Sequence, residues 1–451
     1  MEEVGKIISS STSSFVFSAS KEIKKFDYVC IEHDGLALAQ IKEVKQDRSG
    51  TTGEAEVIGY ANRKYMARSP FKVGSTVYKA SYEAIKKIVG IEDDGIYIGL
   101  LKDTNMKVFL SPETIIKKHL CILAKSGSGK SYVMGVIIEE MIKKGLPVVI
   151  IDAHGEYVSL RHPNLDKQEF RSMKKFDVKP RSYIKNVVEF SPLMGKNKNA
   201  VPLFLDELNM DFEQILQLVP KATPLQRGIL YEAYKMAREE KRVYTLNDII
   251  EIVREARSNA KWNLLPQLEQ IYATKIFSPN YTPIEEIVKK KRCSIINLKG
   301  IPSHIQEILV AQLLNKIFEE RRKESIPPLL VVIEEAHRYC PERGEGKSMA
   351  GDIIKTIATE GRKFGVGLAI ITQRPARVDK NVISQCNTHI ILRTTNPNDL
   401  KAIVSSVEGL TSSAANEIQR LPIGTAIVAG LPLQAPIFVE VRVRETMHGG
   451  K

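Results

Sequence analysis

Along residues 1–91, apolar and polar positions alternate in short runs; beyond them the period changes. The early runs are "SFVFSAS", "DYVCIEH", "LALAQIKEV", "EAEVIGYA" and "STVYKAS". They are rich in β-branched and aromatic residues, and turn residues such as Asp34-Gly35 and Gly53 punctuate them. Five or so short strands without a long helix predict a small β-barrel. The turn "EDDG" at Glu92–Gly95 sets its boundary. After it, "HLCILA" (His119–Ala124) reads as a buried strand. The segment "KSYVMGVIIEEMIKKG" carries apolar Val133, Val136, Ile137 and Met141, which predicts an amphipathic helix stopped at Gly145. "LPVVIID" (Leu146–Asp152) is a second buried strand. Strand, loop, helix and strand in this order make an α/β unit with a parallel sheet.

Residues 201–290 read as a helical insertion that holds the single Trp262. Thr223-Pro224 starts one helix, with Pro at the first helical position. Thr245 with Asp248 resembles a capping pair for the next. Ser303 and Gln306 predict a capping box for the long helix that follows "CSIINLKG". "LLVVIEE", "VGLAIITQ" and "THIILRT" are further buried strands, and "GTAIVAGLPLQAPIFVEVRVRE" predicts a closing hairpin. The expected organisation is a barrel over 1–91, a core over 92–200 and 291–451, and the insertion between.

Charge narrows the class of partner. Among 451 residues, 66 Lys+Arg stand against 53 Asp+Glu, a net charge of +13. Such an excess favours an anionic partner, nucleic acid or a membrane surface. No apolar run approaches the ~18 residues that span a bilayer. The stretch "MEEVGKIISSSTSS" lacks the basic flank and apolar core of a secretory signal. The five cysteines (Cys30, Cys121, Cys293, Cys340, Cys386) have no metal-ligand spacing, so reduced thiols and a cytoplasmic protein are expected.

The chemistry begins at "CILAKSGSGKSY". It resembles the phosphate-binding pattern G-x-x-x-x-G-K-[ST], with Ala124 at the first glycine. It opens a helix directly after a buried strand, as such a loop must. Backbone N–H groups over Lys125, Ser126, Gly127, Ser128, Gly129 and Lys130 would converge on phosphate oxygens, continuing into Ser131 and Tyr132. Lys130 would reach the β- and γ-phosphates and Ser131 a magnesium ion. ATP and Mg²⁺ are therefore the expected cofactors. The strand "LLVVIEE" ends in two carboxylates. Glu334 suits magnesium, partly through water, and Glu335 suits a general base. Gln373, also at a strand end, could orient water. Arg362, in "EGRKFGVG", could reach a neighbouring subunit's γ-phosphate. The D-x-H-G-E-Y set (Asp152, His154, Glu156) lacks metal-ligand spacing and is expected to border the nucleotide site.

Together these stretches resemble the HerA branch of the HerA/FtsK superfamily of ring-shaped ATPases. The matching segments are "HLCILAKSGSGKS", "VVIIDAHGEY", "LLVVIEEAHR", the block from Glu360 to Asp399, and "LPIGTAIVAG". The resemblance implies a RecA-like P-loop ATPase core with a small β-barrel before it. It implies a homo-hexamer driven by ATP along double-stranded DNA, with Arg362 acting on the adjacent subunit's site and a NurA-type nuclease as partner in resecting DNA ends. Glu334 departs from the Asp common at its position. A conjugation- or secretion-type coupling ATPase and a nucleotide-locked scaffold are the alternatives.

A motor grips phosphates rather than reading bases, so basic residues on loops are the expected contacts. "RYCPERGEGKSMAG" offers Arg338, Arg343 and Lys347; "RPARVDK" offers Arg374, Arg377 and Lys380. Arg63, Lys64 and Arg68 in the barrel are weaker candidates. Binding independent of sequence and weakened by salt is expected.

Overall fold

A computed structural model of the chain describes residues 2–33, 35–48, 50–61, 68–193, 199–344, 348–410 and 414–449. Its first six strands are β1 (Glu3–Ser10), β2 (Ser14–Ala19), β3 (Tyr28–Glu32), β4 (Leu36–Asp47), β5 (Gly50–Tyr60) and β6 (Thr76–Lys79). They close into an antiparallel barrel in the order β1-β2-β5-β4-β3-β6. Gly53 lies inside β5 and not at a turn, which corrects the sequence reading. A Cβ there would stand 2.6 Å from the ring of Phe17, which is fully buried inside the barrel. Asp34, Arg63 and Lys64 lie outside the described residues.

Helix α1 (Tyr82–Val89) follows, capped by Ser81 and ended by left-handed Gly90. The chain then enters the core. It runs through β7 (Ile96–Leu101), β8 (Lys107–Leu110), α2 (Pro112–Lys118), β9 (Leu120–Leu123), α3 (Lys130–Lys143), β10 (Val148–Asp152), α4 (Phe170–Phe176), β11 (Val187–Ser191) and β12 (Val201–Pro202). A helical segment comes next, flanked by the two-stranded pair β13 (Leu205–Asp206) and β14 (Phe277–Ser278). It holds α5 (Phe212–Leu218), α6 (Pro224–Glu240), α7 (Leu246–Glu255) and α8 (Lys261–Ala273), and α9 (Ile284–Ile287) follows β14. Thr223 and Thr245 form the capping boxes of α6 and α7, with Gln226 and Asp248 answering them. The core resumes with β15 (Cys293–Asn297), α10 (Ser303–Arg322), β16 (Leu329–Ile333), α11 (Met349–Phe364), β17 (Val366–Thr372), α12 (Lys380–Gln385), β18 (Thr388–Ile391), α13 (Pro397–Ser406), α14 (Ala414–Arg420), β19 (Thr425–Gly430) and β20 (Ile437–Val441).

One twelve-stranded sheet carries the core, in the order β12-β11-β15-β10-β16-β17-β9-β18-β19-β20-β7-β8. It is parallel from β12 to β18 and antiparallel from β18 to β8. The sheet is thus mixed rather than purely parallel. The hairpin β19–β20 extends it, and β7 and β8 complete the antiparallel margin. Strands β9, β10, β16 and β17 are buried along their whole length, which is why they read as unbroken apolar runs.

Two local expectations change. Helix α3 is buried from Val133 through Ile142 rather than amphipathic. Ser303 does not cap α10: Pro302 occupies the cap position without a side-chain hydrogen bond. The Gln306 amide instead donates to Leu298 O (3.2 Å) and Ile301 O (2.8 Å) and accepts from the Tyr339 hydroxyl (2.9 Å). The turn before the helix, with Leu298 and Ile301 buried, claimed it.

Candidate nucleotide-binding site

Four adjacent parallel strands, β10-β16-β17-β9, end on the same edge of the sheet. At ~4.8 Å between strands, the residues just past one strand end lie beside those just past its neighbour's. Asp152 ends β10, Glu334 and Glu335 come directly after β16, Gln373 after β17 and the phosphate loop after β9. Ligands of open α/β sheets bind at this edge.

The loop is pinned from behind. Lys125 N–H and Ser128 Oγ both donate to Arg393 O, at 3.0 and 2.9 Å. Gly127 and Gly129 have φ of 74° and 97°, a left-handed backbone that glycine adopts without strain. Gly129 is the first position of the α3 terminus and brings no capping side chain. The leading N–H groups of α3 thus face a cavity of about 1170 Å³ that the loop lines from Ser126 to Tyr132. Ala124 is fully buried and its methyl belongs to the apolar core. The substituted position therefore packs inward and leaves the phosphate-facing glycines untouched.

The acidic wall is drawn tight. Lys130 Nζ lies 3.9 Å from Glu335 Oε1, both side chains about nine-tenths buried. Glu334 is 4% exposed, and its Oε2 has no hydrogen-bond partner. Burial, with the charges of Asp152, Glu156 and Glu335, pushes its carboxyl up to about 9. An unpartnered acidic oxygen beside a phosphate loop fits a cation–phosphate complex, so Ser131 and Glu334 are the residues that would hold Mg²⁺. Asp152 is a turn-former: its carboxylate accepts from the N–H groups of His154 (3.1 Å), Gly155 (2.7 Å) and Tyr157 (3.2 Å). His154, Glu156 and Gln373 line the cavity. Among the described residues, no group of three or more His, Cys, Asp or Glu could hold a metal ion by itself.

A family model described as "Helicase HerA, central domain" matches residues 96–317, from β7 into α10. A probable DNA double-strand break repair helicase HerA from Methanocaldococcus jannaschii is 29% identical, covering 100% of this chain and 97% of its own. The chain belongs to the HerA family. A DNA double-strand break repair helicase HerA from Pyrococcus furiosus is 28% identical over 85% of this chain and 75% of its own. Among solved structures, VirB4 of Thermoanaerobacter pseudethanolicus shares the fold, with a TM-score of 0.55 at 13% identity, over 78% of this chain and 97% of that one.

In this HerA-family chain, Arg362, expected to serve a neighbouring subunit's site, stands outside the cavity of its own chain. It lies in the last turn of α11, exposed, and is absent from the cavity wall. The two basic loops, by contrast, are joined. Pro341 and Val378 form a β-bridge; Glu342 N–H donates to Arg377 O (2.9 Å), Asp379 N–H to Cys340 O (3.0 Å) and Lys380 N–H to Glu342 Oε2 (2.9 Å). Arg343, Arg374, Arg377 and Lys380 are exposed and Arg338 half-buried on this common platform. Lys347 lies outside the described residues. Arg68 is exposed in the segment between β5 and β6.

Several site residues escaped the sequence reading. His337, inside "EEAHR", places Nδ1 3.2 Å from Thr372 Oγ1 and 3.3 Å from Glu335 Oε2. Burial first, then the charges of Arg374, Arg338, Arg377 and Lys130, hold its pKa down to about 4, so the ring is neutral. At the cavity's other end, Tyr132 meets His448 edge-on (centroids 5.4 Å apart), and Ile423 and Val443 add apolar wall. Tyr132 Oη accepts from Arg444 N–H (2.9 Å). Tyr132 was expected at the phosphate loop, but its contacts with the C-terminal segment were not, because that segment reaches the loop only through the fold.

Proposed function

We propose that this chain is an ATP-driven motor that works as a ring on double-stranded DNA, in repair of DNA ends. The observation that carries the reading is the pair Glu334 and Glu335 directly after β16, with Glu335 facing Lys130. A phosphate loop alone binds nucleotide. A buried carboxylate held beside its lysine also provides a proton acceptor for water, which is what hydrolysis needs. Bound magnesium supplies charge neutralisation along the phosphates. Lys130 and the N–H groups of α3 hold the β- and γ-phosphates, Glu335 accepts the proton of the attacking water, and Gln373 orients that water. Arg362 of a neighbouring subunit adds charge at the γ-phosphate.

The relatives' names, helicases of DNA double-strand break repair, support DNA as the track. The net charge of +13 and the basic platform beside Glu335 support a phosphate backbone as the surface gripped. A homo-hexamer and a NurA-type nuclease partner extend the reading from the family resemblance. No described helix is long and apolar enough to cross a membrane. Likeness to VirB4 concerns fold alone and favours no coupling role.

The test is ATP turnover with and without linear duplex, on wild type, Lys130→Ala and Glu335→Gln. Duplex is expected to stimulate the wild type. Each substitution is expected to lower turnover at least a hundredfold, about 2.7 kcal/mol of barrier. A wild-type ring that binds ATP without turning it over is a scaffold, and that result sinks the motor.

A further inference from the structure

Glu335 is flanked on both sides. Its Oε1 faces Lys130 Nζ at 3.9 Å and its Oε2 faces His337 Nδ1 at 3.3 Å. The second contact is close without the alignment of a hydrogen bond, since Oε2 has no hydrogen-bond partner. The backbone of Glu335 is left-handed (φ 49°), a conformation of some cost for a residue with a Cβ. Something must keep the residue there, and His337 is placed to do so.

His337 is itself rooted in the basic platform. Its Nδ1 shares a hydrogen bond with Thr372 Oγ1 (3.2 Å), and the same Oγ1 accepts from Arg374 N–H (3.0 Å). Thr372 ends β17, directly before Gln373. Arg338 follows His337 in the chain, and Arg374 and Arg377 lie close enough for their charges to act on its ring. The loops bearing these arginines are stitched by the Pro341–Val378 bridge and by Glu342 N–H to Arg377 O. A displacement of either loop is thereby passed to the other, and both meet at the imidazole.

We infer that His337 is a positioning residue that restrains Glu335 until the arginine platform binds a phosphate backbone, so that ATP turnover depends on the duplex. The inference rests on the proposed motor function and adds the residue through which track and site communicate. When phosphates engage Arg338, Arg374 and Arg377, the turn 374–377 shifts, Thr372 Oγ1 and His337 move with it, and Glu335 is freed to meet water. A ligand can move this equilibrium only by binding the shifted platform more tightly, which the arginine charges provide.

The experiment compares turnover with no DNA and with saturating linear duplex in wild type, His337→Ala, His337→Asn and Thr372→Val. Fluorescent nucleotide affinity and thermal stability are followed in parallel. His337→Ala is expected to raise the DNA-free rate several-fold and bring the stimulation ratio close to one, with nucleotide affinity within about twofold. Asn offers an amide N–H where Nδ1 stands and is expected to restore much of the ratio. Thr372→Val keeps the shape of the buried site and should lower the ratio even where His337→Ala is poorly folded. A ratio unchanged in both His337→Ala and Thr372→Val, including a proportional fall of both rates, overturns the inference and leaves the motor standing. A wild type indifferent to duplex overturns the motor reading, and the inference with it.

Discussion

Glu334 shows at the scale of one residue what the site costs. Its carboxyl is buried beside Asp152, with Glu156 and Glu335 close by, and is pushed up to about 9. An unfolded glutamate titrates near 4.3. Between those values the folded chain holds a proton that the unfolded chain releases, so stability falls as pH rises through the window. The sign is that of a raised folded pKa: the contribution is complete below ~4.3 and lost by the time pH passes about 9. Glu334→Gln removes the ionisation and keeps the shape. The nucleotide-free variant is therefore expected to be more stable than wild type by about 1–2 kcal/mol at pH 8, with little difference at pH 4, while its turnover is lost. Thermal unfolding across pH 4–9 measures it. Equal melting temperatures at pH 8 would show that the carboxylate cluster is not strained in the empty site.

At the scale of elements, the α3–C-terminal contact is the least expected. Arg442 and Arg444 are buried, at 0% and 1% exposure, against Glu139 and Glu140 of α3. Arg442 pairs with Glu139 Oε2 at 2.9 Å and with Glu140 Oε1 at 2.8 Å. Glu139 Oε1 also accepts from Thr446 N–H (2.9 Å) and its hydroxyl (2.6 Å). A Cβ at Gly135 would come within 2.7 Å of the Arg444 guanidinium, so that helix position must stay bare. In sequence, Glu139 and Glu140 read as the wet side of an amphipathic helix, because the partner that claims Glu140, Arg442, lies 302 positions away. The strands and the phosphate loop were legible because their signals are local: unbroken apolar runs, small residues between strand and helix, carboxylates at a strand end. The contacts of His337 with Thr372 and of Tyr132 with His448 were not, since each partner is distant in the chain; Gln306 reads as half of a capping box because its spacing to Ser303 does not show that the preceding turn takes its amide. Glu139→Ala strands a buried arginine and is expected to cost about 3–5 kcal/mol, read as a lowered melting temperature. Pairing Glu139→Leu with Arg442→Met removes both charges and should cost clearly less than Glu139→Ala, whereas an additive loss in that double variant would deny the ion pair its structural weight.

The whole molecule raises the question that Arg362 leaves. Its place in the last turn of α11, exposed and outside the cavity wall, suits a residue that serves another copy's nucleotide. Its helix is nonetheless tied to the site behind it. The buried His119, directly before β9, accepts from Leu368 N–H of β17 at Nδ1 and meets Ala358 O of α11 at Nε2, both at 3.0 Å. Because Nδ1 accepts, Nε2 carries the proton and donates. One imidazole thus joins the strand of the phosphate loop, the strand before Gln373 and the helix of Arg362. In the proposed ring, a movement of one subunit's phosphate loop is expected to carry that subunit's Arg362 with it, the coupling by which neighbours would fire in turn. Shared sites predict complementation. Lys130→Ala subunits keep Arg362, and Arg362→Ala subunits keep Lys130, so mixed rings regain complete sites wherever the two kinds adjoin in the right order. At equal proportions up to about a quarter of sites are restored, and turnover should rise well above that of either variant alone. Were Arg362 to act within its own subunit, no mixture would contain a complete site, and turnover would stay at the sum of the two separate backgrounds.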